Sequence, residues 1–130
     1  MLIRAVIPLL VSTLLALPVN AKPWNVVDLG GLRTDQICMR SAELTFRSVL
    51  AEFGAARLRA TSWVNYADGV AENHDALISC NYAGLSGARA TLVLHSTGRP
   101  IDAHLLARRI TAIFEEHAAE VTKIWRESLN

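Results

Sequence analysis

The residues best suited to recognition chemistry are arginines set beside aromatic rings at strand spacing. Arg57, Arg59, Thr61 and Trp63 alternate with Leu58, Ala60, Ser62 and Val64. Arg89, Thr91, Val93 and His95 alternate in the same way with Ala90, Leu92 and Leu94. Period-two alternation puts each set on one side of a strand. Arg57, Arg59, Trp63, Arg89 and His95 are therefore expected to share one face of a sheet, with Thr91 and Val93 between them. A guanidinium beside an indole can hold a carboxylate or phosphate through paired, charge-assisted hydrogen bonds. It can equally anchor an acidic protein surface. The plainer alternative is a solvated sheet face, or one covered by an N-terminal arm through Trp24 and Val26.

Other reactive residue types lack the spacing that chemistry needs. Asp68, Glu72, Asn73, His74 and Asp75 are metal-ligand types in one short stretch. They do not follow the ordered pattern of a calcium loop, so no metal site is assigned and a solvated loop is expected. His117 falls within the apolar stripe of a long helix, where a packed histidine with one hydrogen bond is the commoner situation. His104 lies near the start of that helix beside Arg108, with nothing linking it to a nucleophile. There is no nucleophile elbow, phosphate-binding loop, dinucleotide fingerprint or zinc-protease motif. The pair Gly30-Gly31 is too little to cradle a phosphate. No catalytic residue is assigned and no cofactor is implied.

The two cysteines, Cys38 and Cys80, carry the firmest chemical expectation. Cys38 lies on the apolar face of a helix that includes Ala42, Phe46, Val49, Leu50 and Phe53. Cys80 lies on the Ile78/Tyr82 side of a strand. If that helix packs on that side, the two thiols meet. Without a C-x-x-C motif, a structural bridge is expected rather than a redox-active pair.

These residues need elements to hold them. Thr34 or Asp35 can cap the first helix and Gly54 can end it. Arg40, Glu43 and Arg47 recur on its solvated side. Three strands are expected at 56–64, 76–82 and 88–95. The stretch 65–75 joins the first two, with Asp68-Gly69 as a turn, and 83–87 closes a hairpin between the last two. A long helix over about 102–128 carries Leu106, Ile110, Ile113, Phe114, Val121, Ile124 and Trp125, and is long enough to overhang the sheet. The fold class is α+β, in the order α-β-β-β-α. A three-stranded antiparallel sheet is packed by two helices on one face, with one disulfide. The sheet is four-stranded if 24–29 adds a short strand.

Residues 1–21 read as a cleaved signal peptide. Arg4 supplies the charge, an apolar run follows, and Val19-Asn20-Ala21 is a small-residue cleavage pattern. The run is too short for the span of about 20 apolar residues that a membrane anchor requires. Residues 22–33 then form an arm or short strand, and 34–130 a single domain. Over all 130 residues the mean hydropathy is +0.27 and the net charge +1. Without the leader the chain is charge-balanced and about 48% hydrophobic, an ordinary globular value. Neutrality argues against a nucleic-acid partner. The leader implies a periplasmic or secreted location, where a Cys38–Cys80 bridge is favoured.

The expected function is a non-catalytic binding protein of bacterial type, with no stable membrane anchor after cleavage. Its partner would be a protein or a small anionic ligand. The alternatives are a structural homodimer and, less favoured, a small hydrolase.

Overall fold

The computed structural model describes residues 23–130. The leader expected over 1–21 lies outside them. The described chain runs β1 (Trp24–Leu32), α1 (Asp35–Phe53), β2 (Arg57–Ala60), β3 (Val64–Val70), β4 (His74–Tyr82), a short 3-10 turn (Gly84–Ser86), β5 (Ala88–Ser96) and α2 (Pro100–Glu127). The α+β class holds, but the sheet has five antiparallel strands, in the order β1-β5-β4-β3-β2, rather than three or four.

Two local effects account for the extra strands. Gly30-Gly31 does not end β1. Leu29 is left out of register, Gly30 takes up the irregularity at φ +93°, and pairing resumes to Leu32 opposite Ala88. The expected strand over 56–64 is in fact two. The chain bends at residues 61–63, where the Thr61 hydroxyl accepts from the Val64 N–H at 3.2 Å. Most of the expected loop over 65–75 is then β3. Asp68-Gly69 forms an irregularity within that strand rather than its turn. Gly69 has φ +66°, and a Cβ there would fall 2.8 Å from the Ala56 Cβ, so only glycine fits. The actual turn uses Ala71 and Glu72 in left-handed conformations.

Both helices cover the same face of the sheet. Thr34 caps α1, its hydroxyl accepting from the Ile37 N–H at 3.0 Å. Ser41 and Thr45 are buried on α1 without penalty because their hydroxyls donate to the Ile37 and Ser41 carbonyls. Helix α2 starts at Pro100, with Arg99 as its N-cap rather than Asp102, so the alternative of Pro100 in the first turn holds. Proline suits the first helical turn, where its missing N–H would have no partner anyway.

The core lies between this layer and the sheet. Ile37, Phe46, Val49, Ile110 and Phe114 pack against Ala67, Ala76, Ile78, Ala88, Ala90, Leu92 and Leu94. Alanines on the strands let the helix backbones approach closely. At α1 this proximity brings the Cys38 and Cys80 Cα atoms to 5.9 Å, and the two residues form the disulfide. The last turns of α2 run on past the sheet beside α1, so Ile124 is exposed while Phe114 is buried. Among the described residues no helix is long and apolar enough to cross a membrane.

Candidate functional site

Among the described residues no helix covers the other face of the sheet. Strand register aligns its side chains in rows that cross all five strands. One row runs Arg59, Tyr66, Leu77, Val93, Val26. In the next row Arg57 lies opposite Asp68, while Asp75, His95 and Trp24 follow one another across β4, β5 and β1. The middle of the first row is apolar, and its end at Val26 is 68% exposed. Trp24 stacks on His95 with ring centroids 4.4 Å apart. At the opposite side the Arg59 guanidinium lies 3.8 Å above the Tyr66 ring, a cation–π contact. Between these two aromatic walls lies a shallow depression of about 270 Å³, with Leu77 and Val93 in its lining and Asp68 and Asp75 at one end.

The arginines on this face are engaged by the protein's own carboxylates. Arg59 reaches Asp68 at 2.8 Å, and Arg57 reaches the same carboxylate at 3.3 Å. Arg59 foremost, then Arg57, hold the Asp68 carboxyl below the usual carboxylate range, and Asp68 in turn raises Arg59. Arg89 pairs with Asp28 across the β5–β1 edge. The Asp28 carboxyl is also lowered, first by the Gly30 N–H at 2.9 Å and then by Arg89. Asp75 accepts from the Gly69 N–H at 2.9 Å.

Of the residues singled out by sequence, Arg57, Arg59, Arg89 and His95 lie on this face, with Thr91 and Val93. Trp63 does not join them. The bend at residues 61–63 breaks the alternation that linked it to Arg57 and Arg59. Val64 opposite Ser79 puts Trp63 opposite Cys80, on the alternation of the helix-covered side, where it is exposed at the end of the sheet. Tyr66, Leu77, Asp68, Asp75 and Asp28 belong to the site but were not named for it. The alternation of Val64, Tyr66 and Asp68 was a usable signal. It was masked because Asn65 occupies a core-facing position, where its amide donates to the Met39 carbonyl of α1 at 3.3 Å.

The residues with metal-ligand side chains are dispersed. Asp68 and Asp75 lie on the uncovered face, Glu72 and Asn73 in an exposed turn, and His74 is buried on the covered side. Among the described residues no three histidine, cysteine, aspartate or glutamate side chains converge. His117 Nε2 lies 2.8 Å from the Ser48 hydroxyl, a hydrogen bond that joins α1 to α2. The bond lies in the packed helix layer, outside the depression on the uncovered face. An apolar floor, aromatic walls and internally paired charges suit contact with another surface.

No family model, characterised protein or solved structure matches the chain.

Proposed function

We propose that this chain is a small exported, non-catalytic binding protein, and that the uncovered face of its sheet docks another protein. The observation that carries the reading is the apolar row Tyr66–Leu77–Val93–Val26, flanked by Trp24, on a face that no helix of the described residues covers. Contiguous exposed apolar surface rimmed by polar groups marks interaction sites. The pairing of Arg57 and Arg59 with Asp68, and of Arg89 with Asp28, bears on the kind of partner. A small anion would have to compete with carboxylates already in place. A protein surface gains from burying Val26 and Trp24 and leaves those pairs as a polar rim. The buried disulfide fits an oxidising, extracytoplasmic compartment.

The test is affinity capture from native extract by wild type and by Val26→Lys, followed by a binding isotherm with the purified partner. Val26 is exposed, so the variant should keep its melting temperature to within a few degrees. It should bind at least about tenfold more weakly, because a lysine head is placed where apolar contact is needed. Undiminished affinity would refute the assignment.

A further inference from the structure

A depression larger than the one on the uncovered face lies elsewhere among the described residues. It is a groove of about 690 Å³ between α1 and β2, at the side of the sheet where the strand order ends. Met39, Phe46 and Leu50 of α1 form one wall and Leu58 and Ala60 of β2 the other. Asn65, bound to the Met39 carbonyl, closes the bottom.

The backbone of β2 is open along this groove. The Thr61 N–H donates to the Val64 carbonyl at 2.8 Å and closes the turn between β2 and β3. Antiparallel pairing alternates bonded and non-bonded pairs, so the bonded pairs that follow are Arg59 with Tyr66 and Arg57 with Asp68. The N–H and C=O groups of Leu58 and Ala60 therefore point away from β3, and among the described residues no strand pairs with them. Four residues present an edge of about 13 Å, the length of a short extended segment.

Charge selects the occupant. Arg40, Arg47 and Arg59 line the groove against one carboxylate, Glu43, which Arg40 and Arg47 share at 2.9 Å each. Asp68, beyond Arg59, is likewise shared, with Arg57. The groove lining thus holds three arginines against the single carboxylate of Glu43, while on the uncovered side Arg57 and Arg59 face Asp68, with Asp75 also near Arg59. A strand added beside β2 would set alternate side chains against Arg57 and Arg59 on the uncovered face, and the others beside Leu58 and Ala60 in the apolar groove. Acidic residues fit the first positions, because backbone pairing along β2 holds them beside Arg57 and Arg59 where a free anion would lose the competition with Asp68, and apolar residues fit the second. A second copy of β2 in the same place would set arginine against arginine, which is unfavourable.

We infer that the groove between α1 and β2 takes an extended segment of another protein, alternating acidic and apolar residues, as a sixth strand of the sheet. This site is separate from the apolar row at Val26 and stands or falls independently of it.

A display library of random eight-residue peptides selected on the oxidised protein tests the inference. The enriched sequences should alternate Asp or Glu with apolar residues. Bound to the protein, a selected peptide should slow exchange of the Leu58 and Ala60 amides. Leu50→Glu on α1 and the pair Arg57→Glu/Arg59→Glu on β2, all at exposed positions, should each weaken it by about tenfold or more. Circular dichroism and melting temperature establish that these variants are folded, and Val26→Lys should bind the peptide as wild type does. Overturning results are the absence of enrichment, a basic or helically spaced consensus, unchanged exchange at Leu58 and Ala60, or a dimer of the protein that itself protects those amides.

Discussion

Leu77 and Ile78 are neighbours on β4, yet Ile78 is fully buried beneath the helices while Leu77 lies half-buried on the side the helices leave bare. The same division runs through β5, where Leu92 and Leu94 are buried and Val93 and His95 are not. One face joins apolar side chains and a disulfide into a single core. The other is organised by ion pairs, a stacked Trp24–His95 pair and a row of half-buried apolar groups. Stability resides mainly on the first face. Little of the fold depends on the second, which is why its residues can be changed at small cost.

The largest expected effect comes from the covered face. Replacing Cys38 and Cys80 by alanine opens a loop with a sequence separation of 42. Denaturant unfolding should show a loss of roughly 4 kcal/mol on the chain-entropy account. A loss below about 1 kcal/mol would mean that packing alone holds α1 to the sheet.

The neighbours on β4 give a direct contrast. Ile78→Ala leaves a cavity among close-packed groups and should cost about 3–4 kcal/mol. Leu77→Ala should cost about 1 kcal/mol, since its surroundings already include water. Equal losses would erase the distinction between the faces. Within the helix layer, Ser48→Ala removes the partner of His117 Nε2. It should cost about 1 kcal/mol, because both groups are only partly buried and water can replace the bond.

The smallest effect belongs to the charges. Arg59 holds the Asp68 carboxyl below its usual range, and Arg40 does the same to Glu43. A carboxylate with a lowered folded pKa stabilises the fold fully above its unfolded value, near pH 4, and that contribution is lost as pH falls through the folded value. Melting temperature should therefore be flat from neutrality to about pH 5 as far as these groups are concerned, then decline. Because both groups lie in solvent-screened positions, added salt should shrink that decline. A decline that deepens with salt would exclude these pairs as its cause.

Much of the covered face was legible because core residues obey periodicity. Cys38, Phe46 and Val49 recur at helical spacing, and Ile78, Cys80, Leu92 and Leu94 at strand spacing. The bridge between Cys38 and Cys80 follows from placing the two patterns together. Thr34 and Gly54 bound α1 through local chemistry that reads directly from residue type. The strands that were missed break period for tertiary reasons. Asn65 is buried only because α1 offers it the Met39 carbonyl. Gly30 and Gly69 look like turn residues but absorb irregularities inside strands. The site suffered accordingly. Arg57, Arg59, Arg89 and His95 could be grouped from alternation. Trp63 was misplaced by the bend at residues 61–63, and Tyr66 was hidden in an apparent loop. The pairing of each arginine with Asp28 or Asp68 depends on strand order, which alternation within one strand does not encode.

Methyl spectra of the protein titrated with its captured, purified partner test the division between the faces most directly. The methyls of Val26, Leu77 and Val93 should shift, while those of Ile78, Leu92 and Leu94, on the same sheet but the opposite side, should stay in place. Shifts confined to Ile78, Leu92 and Leu94, or binding that leaves Val26, Leu77 and Val93 undisturbed, would contradict the assignment of the uncovered face as the docking surface.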